Sequence, residues 1–278
     1  MSIQLLPPAS RRFTNSYVVD VTPELARKWL DLARFNREIN YTIVALYARQ
    51  IKEGLWRRTH QGIALTKESV LIDGQHRLLA VLKTGQTVPM IVFVDEPEEN
   101  FEFIDCGRNR SHLDMMRLSQ RNNALSALHS TTLKAFLAGR FCHTTNWSNA
   151  EVNREFEHYS LPISFIVDLF QGEKDKKVND PTVRGFLARA YYSVSHEKIA
   201  AFVNKLRHGG ADCSDSIYLY VRRLHTWDRK RNARCEIYKQ GTQAFLAFLQ
   251  DRNDPHNIDV SYDVFPIPQN AASLKPGT

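Results

Sequence analysis

The junction Asp73-Gly74-Gln75-His76-Arg77 constrains this chain more than any other stretch. It lies between the apolar run Val70 to Ile72 and the helically spaced Leu78, Leu79, Val81 and Leu82. That pattern predicts a short buried strand turning directly into a helix. Gly74 supplies a backbone without Cβ where another group must come close or where φ must be positive. The first N–H groups of the following helix lack intrahelical partners, and the helix dipole adds partial positive charge there, so an anion is favoured. His76 and Arg77 bring side-chain donors to the same place, and the arrangement suits phosphate. The same residues would also make a tight strand-helix junction with solvated side chains, and the motif alone leaves both uses open.

The flanking residues predict a small mixed α/β domain. Residues 1–15, with Pro7-Pro8 and Arg11-Arg12, lack apolar periodicity and read as a surface arm. Tyr17 to Val21 reads as a strand, and Thr22-Pro23-Glu24 carries the hydroxyl, proline and acid of a helix start. Val44, Tyr47 and Ile51 mark a second helix, ended by Gly54. Gly62 to Leu65 and Val70 to Ile72 form a hairpin pattern, and Val88 to Val94 is a further strand whose Pro89 predicts an edge position or a strand start. Neither Gly-x-Gly-x-x-Gly nor a Walker-type sequence occurs.

In its Asp-Gly-Gln-His-Arg form the junction resembles the signature of the ParB and sulfiredoxin superfamily, over about residues 16 to 118. The superfamily includes the CTP-binding partition protein ParB, sulfiredoxin and the free serine kinases. Gln75 stands where sulfiredoxin has its catalytic cysteine, which argues against that chemistry. The kinases' Asp-Gly-His-His-Arg turn is matched at Asp73, Gly74, His76 and Arg77, whereas ParB's Gly-Glu-Arg-Arg is matched only at Gly74 and Arg77. The resemblance implies a nucleoside triphosphate, ATP or CTP, with Mg²⁺. Gly74, Gln75, His76 and Arg77 would then hold phosphates, while Asp73 and His76 would take part in catalysis. Arg37 follows Asn36 where ParB-like domains carry Asn-Pro-Arg, and it suits either a solvated surface or a phosphate.

A second junction, Phe103 to Asp114, runs an apolar pair into Asp105, Gly107, Arg108 and Arg110, with Ser111 as a helix cap. It resembles the Asp-x-Gly-Arg-x-Arg element of phage-encoded members. The residues fit a second anion site or a turn in which Asp105 ties Arg108.

Beyond Arg121 the apolar spacing is almost wholly helical, and residues 122–250 are expected to form a helical domain followed by a non-helical tail, 251–278. The fold class expected is therefore α+β: a ParB/sulfiredoxin-like nucleotide-binding domain over residues 16–121, then an all-helical one. Between Arg222 and Lys239 the charge is densest. Arg222, Arg223, Arg229, Lys230, Arg231, Arg234 and Lys239 are interleaved with His225, Trp227 and Tyr238. Guanidinium groups beside aromatics suit nucleic acid, and a solvated helix face is the alternative.

A net charge of +7 favours polyanionic partners. The four cysteines, with no C-x-x-C pair, indicate neither a disulfide framework nor a zinc site. No leader pattern or membrane-length apolar run is present, so a soluble cytoplasmic protein of a bacterial or phage-infected cell is expected. The histidines are scattered, so no protein metal cage is expected, and Mg²⁺ would reach Asp73 only through a bound nucleotide. The expected function is an NTP-dependent phosphotransferase or NTPase acting on or with DNA. A nucleotide-switched DNA-binding module and a ParB-like nuclease are the alternatives, with nucleotide and DNA as partners, no membrane, and homodimerisation left open.

Overall fold

The computed structural model describes residues 15–33, 38–98, 100, 111–122, 124–142, 146–208, 216–226, 233–255 and 258–268. They fall into two units, Met1–Asn109 with Asn146–Ser148, and Arg110–Thr145 with Asn149–Thr278. The class is mixed α+β, with a four-stranded sheet in the first unit.

The first unit runs β1 (Asn15–Val21), α1 (Pro23–Asp31), α2 (Tyr41–Lys52), β2 (Ile63–Leu65), β3 (Leu71–Asp73), α3 (Gln75–Thr84) and β4 (Val88–Val94). Sheet order is β1-β4-β2-β3, with β4 antiparallel to β1 and parallel to β2, and β3 antiparallel to β2. The start of α1 is built as its sequence predicts: Thr22 Oγ1 accepts the Leu25 N–H at 3.2 Å, and Pro23 occupies the first turn. Ile63, Leu71, Leu78, Val81, Met90 and Val92 are buried in a core shared with Ala48 and Ile51 of α2. Pro89 stands at the start of its strand, but β4 is an interior strand, so the edge alternative is corrected. A proline near a strand end removes only one donor, and the Pro89 carbonyl accepts the Trp56 indole N–H at 3.4 Å.

The second unit contains α4 (His112–Gln120), α5 (Ala127–Ala138), a 3-10 turn at Gly139–Phe141, α6 (Asn149–Leu169), α7 (Pro181–Ala190), α8 (His196–His208), α9 (Ser216–Thr226) and α10 (Ala233–Leu249). The two units divide at Asn109/Arg110, whereas the sequence reading places the boundary after Arg121. The reason is packing, because α4 lies against α5 and α6 and buries Met116. α6 leaves helical geometry at Tyr159, just before Pro162, whose ring and missing N–H cannot continue a regular ladder. The described residues after α10 are non-helical, as expected, and Ile258, Val260 and Phe265 among them are buried.

Two buried arginines organise these helices. Arg184 of α7 donates to Thr132 Oγ1 at 2.7 Å and Thr131 Oγ1 at 3.0 Å on α5, and also to Asn179. Burial pulls its pKa down to about 10. Arg189 donates to the Phe136 carbonyl at 2.7 Å and the Phe265 carbonyl at 3.0 Å, and pairs with Asp263, so it fastens the C-terminal segment to α5 and α7. Among the described residues no helix is long and apolar enough to cross a membrane.

Candidate functional site

The hairpin β2-β3 delivers the Asp73 to Arg77 turn to one end of the sheet. Gly74 is the N-cap of α3 with φ +105°, and no side chain caps the helix. An L side chain there would be strained, and its Cβ would stand 2.4 Å from Ile63 Cδ1. Asp73 turns back on the same residues: Oδ1 accepts the Gly74 N–H at 2.6 Å and Oδ2 accepts from Arg77 Nη2 at 2.7 Å. Arg77 Nη2 also donates to the Gly62 carbonyl at 2.7 Å, so β2, the turn and the first turn of α3 are tied through one guanidinium. Arg77 keeps 12% of its side chain exposed and Asp73 keeps 26%. The pair therefore sits at the surface end of the core, and the guanidinium is largely occupied by internal partners.

His76 is buried, and its Nε2 accepts the Asn40 N–H at 2.9 Å. An accepting Nε2 carries no proton, so the imidazole is neutral with its proton on Nδ1. Asn40 is the N-cap of α2, where its Oδ1 accepts from the Thr42 and Ile43 N–H groups at 3.0 and 3.4 Å. The starts of α2 and α3 are thus joined, and the partial positive ends of two helices lie side by side. Among the described residues two buried polar atoms of the turn, Gln75 Oε1 and Arg77 Nε, have no hydrogen-bond partner. Leaving a buried group unsatisfied costs about 1–3 kcal/mol, more if charged, so their pairing in one turn calls for an explanation such as a ligand.

The structure therefore brings together Asp73, Gly74, Gln75, His76 and Arg77, and adds Asn40 and Gly62, which the sequence did not single out. Asn40 before Tyr41-Thr42-Ile43 carries an N-cap signal that could have been read. Gly62 carries only the general signal of a glycine heading a strand. A Cβ at Gly62 would lie 2.0 Å from the Ile91 carbonyl oxygen, so the close approach of β4 requires glycine.

Arg37 and the whole element Asp105, Gly107, Arg108 and Arg110 lie outside the described residues, as do Arg229, Lys230 and Arg231. The remaining members of the basic segment are described and exposed: Arg222 and Arg223 on α9, Arg234 and Lys239 on α10. His225 donates toward the Val221 carbonyl at 2.8 Å and meets Asp175 Oδ2 at 2.7 Å. Among the described residues no three His, Cys, Asp or Glu side chains converge as a metal site would need.

Three surface concavities stand out, and none is lined by a residue of the turn. They are a shallow one on α1, a cleft of about 160 Å³ beside Arg140, Cys235 and Lys239, and a cleft of about 330 Å³ beside Arg222 and Arg223. No protein-family model, curated protein or solved structure matches the chain.

Proposed function

We propose that the first unit is a ParB/sulfiredoxin-like domain that binds a nucleoside triphosphate at the Asp73 to Arg77 turn. On this reading the chain is a phosphotransferase or NTPase working on or with DNA in the cytoplasm of a bacterial or phage-infected cell. The observation that carries the reading is the pairing of the α2 and α3 starts through Asn40 and His76, beside the uncapped Gly74 turn. Backbone donors and two helix dipoles favour an oligoanion there, while Asp73 offsets the charge of Arg77. Mg²⁺ would arrive on the nucleotide, and the partly exposed Asp73 carboxylate suits it as a single protein ligand. When bound, the ion would neutralise phosphate charge.

One observation favours the alternative of a nucleotide-switched DNA-binding module. Both Asp73 oxygens already accept hydrogen bonds, from Gly74 and Arg77, as a structural carboxylate would. Calorimetry with ATP and CTP in Mg²⁺, followed by phosphate-release assays with and without DNA, separates these readings. Binding of either nucleotide is expected. Asp73→Asn should retain nucleotide while losing turnover by about two to four decades, the range of a positioned base. Absence of binding at millimolar nucleotide refutes the site, and wild-type turnover in Asp73→Asn removes the carboxylate from the chemistry.

A further inference from the structure

The cleft between α9 and α10 has the composition of an organophosphate site. Arg222 and Arg223 both line it and are exposed, and among the described residues neither guanidinium makes an ion pair or a hydrogen bond. None of its ten lining residues is acidic. Two guanidinium groups at one cleft with no acidic lining residue make a positive field that favours an anion. The nearby carboxylate of Glu236 accepts the Gln240 amide N–H at 2.7 Å.

The rest of the lining is suited to a flat organic body. Leu219 is partly exposed, and Tyr220 is buried with its hydroxyl donating to the Ile237 carbonyl at 3.1 Å, so its ring is held in place by α10. Gln240 and Gln243 are each oriented by one amide hydrogen bond, to Glu236 and to the Ile258 carbonyl, and among the described residues their side-chain oxygens have no partner. Amide oxygens accept from the exocyclic amines of nucleobases, and the two glutamines line the same cleft as Leu219 and Tyr220. A volume of about 330 Å³ lies at the lower end of small-ligand pockets.

We propose that this cleft binds one nucleoside monophosphate unit, either free or as the 5′-phosphorylated end of a nucleic-acid strand. Arg222 and Arg223 hold the phosphate, and Leu219, Tyr220 and the two glutamines receive the base. The proposal is independent of what the Asp73 turn binds.

The test uses the full chain with the four deoxynucleoside monophosphates and with mixed-sequence hexanucleotides carrying or lacking a 5′-phosphate. Affinity is measured by equilibrium dialysis, and the binding site is located by hydrogen-exchange protection of residues 216–226 and 240–244. That location keeps the result separate from any binding at the turn. Protection there by a monophosphate or by the 5′-phosphorylated strand is expected, and the two ligand types distinguish a free nucleotide from a strand end. Each of Arg222→Gln and Arg223→Gln should weaken binding by about tenfold to a hundredfold, as loss of a charged hydrogen bond does. Arg→Lys at either position should restore part of it. Both arginines are exposed, so the variants should keep the wild-type unfolding midpoint. The proposal fails if neither ligand type protects these segments, if the unphosphorylated strand binds equally well, or if affinity survives in the double Gln variant.

Discussion

Gly62→Ala tests the way the first unit is held together. The new Cβ would stand 2.0 Å from the Ile91 carbonyl oxygen, 2.8 Å from its carbon and 3.2 Å from Ile91 Cβ. Backbone atoms cannot swing aside as a side-chain tip can, so β2 must move away from β4 by on the order of 1 Å to relieve the contact. That movement strains the parallel pairing of Ile63 with Val92 and of Ala64 with Phe93. It also draws the Gly62 carbonyl away from Arg77. Overpacking costs about 1–3 kcal/mol, and loss of a charged hydrogen bond about 1.5–3 kcal/mol. The expected destabilisation is therefore roughly 3–6 kcal/mol, a large part of the ~5–15 kcal/mol typical of a whole domain. Gly85→Ala is the control. Gly85 has φ +68°, but a Cβ there meets nothing within 4 Å, so only the backbone strain of about 1–2 kcal/mol applies. Urea unfolding followed by circular dichroism, with hydrogen exchange of residues 63–65 and 88–94 to identify the transition, measures both. A Gly62→Ala effect within ~1 kcal/mol of the Gly85→Ala effect would show that β4 does not need the close approach.

Two further outcomes follow from the titration behaviour of the helical unit. Burial pushes the Cys142 thiol up to about 12, aided by the neighbouring Cys235 thiol, while Cys235 is exposed. Iodoacetamide at about pH 8, read by peptide mass, should therefore label Cys235 in the native protein and Cys142 slower by on the order of three decades; equal rates would refute the burial argument. The pKa of His225 is raised, first by its hydrogen bond to the Val221 carbonyl and then, against burial, by Asp175; that of Asp175 is lowered because, against the upward push of burial, the Lys177 N–H and His225 bind its charged form. A raised histidine stabilises fully below its unfolded value, about 6.5, and loses that stability as pH rises through the folded value. A lowered carboxylate stabilises above its unfolded value, about 3.9, and loses that stability as pH falls through the folded one. His225→Ala should thus be most destabilising between about pH 4 and 6.5, within the ~0.2–1 kcal/mol of exposed pairs, and a urea-midpoint difference that does not change from pH 4 to 8 would refute the pair.

Most of the local structure was legible in the sequence because its causes are local. The glycine of the strand-to-helix junction was read as a close approach or a positive φ, and Gly74 has both. Thr22-Pro23 marks a helix start whose capping bond is present. Apolar residues at helical spacing announced the run of helices beyond Arg121, because period and capping depend on neighbours within one turn. The start of α10 was less legible, since its first buried apolar residues, Ile237 and Tyr238, stand among Arg234, Glu236 and Lys239 in a stretch whose charge dominates the sequence.

The tertiary structure decided what each polar group of those elements does. Spacing put Asp73 and Arg77 one helical turn apart, but the Gly62 carbonyl, supplied by another strand, completes the tie that turns Arg77 inward. His76 became the acceptor for Asn40 because α2 packs on α3, an arrangement that no pattern within the turn encodes. Arg184 and Arg189 sit on a helix whose sequence looks ordinary, yet both are buried because Thr131, Thr132, Asn179, Phe136 and Asp263 are brought to them from other segments. The segment after α10 has no periodicity to read, and its burial follows from those same bonds. A short-range pattern sets which backbone conformation is cheapest. A buried charge is tolerated only where distant residues supply its hydrogen bonds, and that supply exists only once the chain has folded.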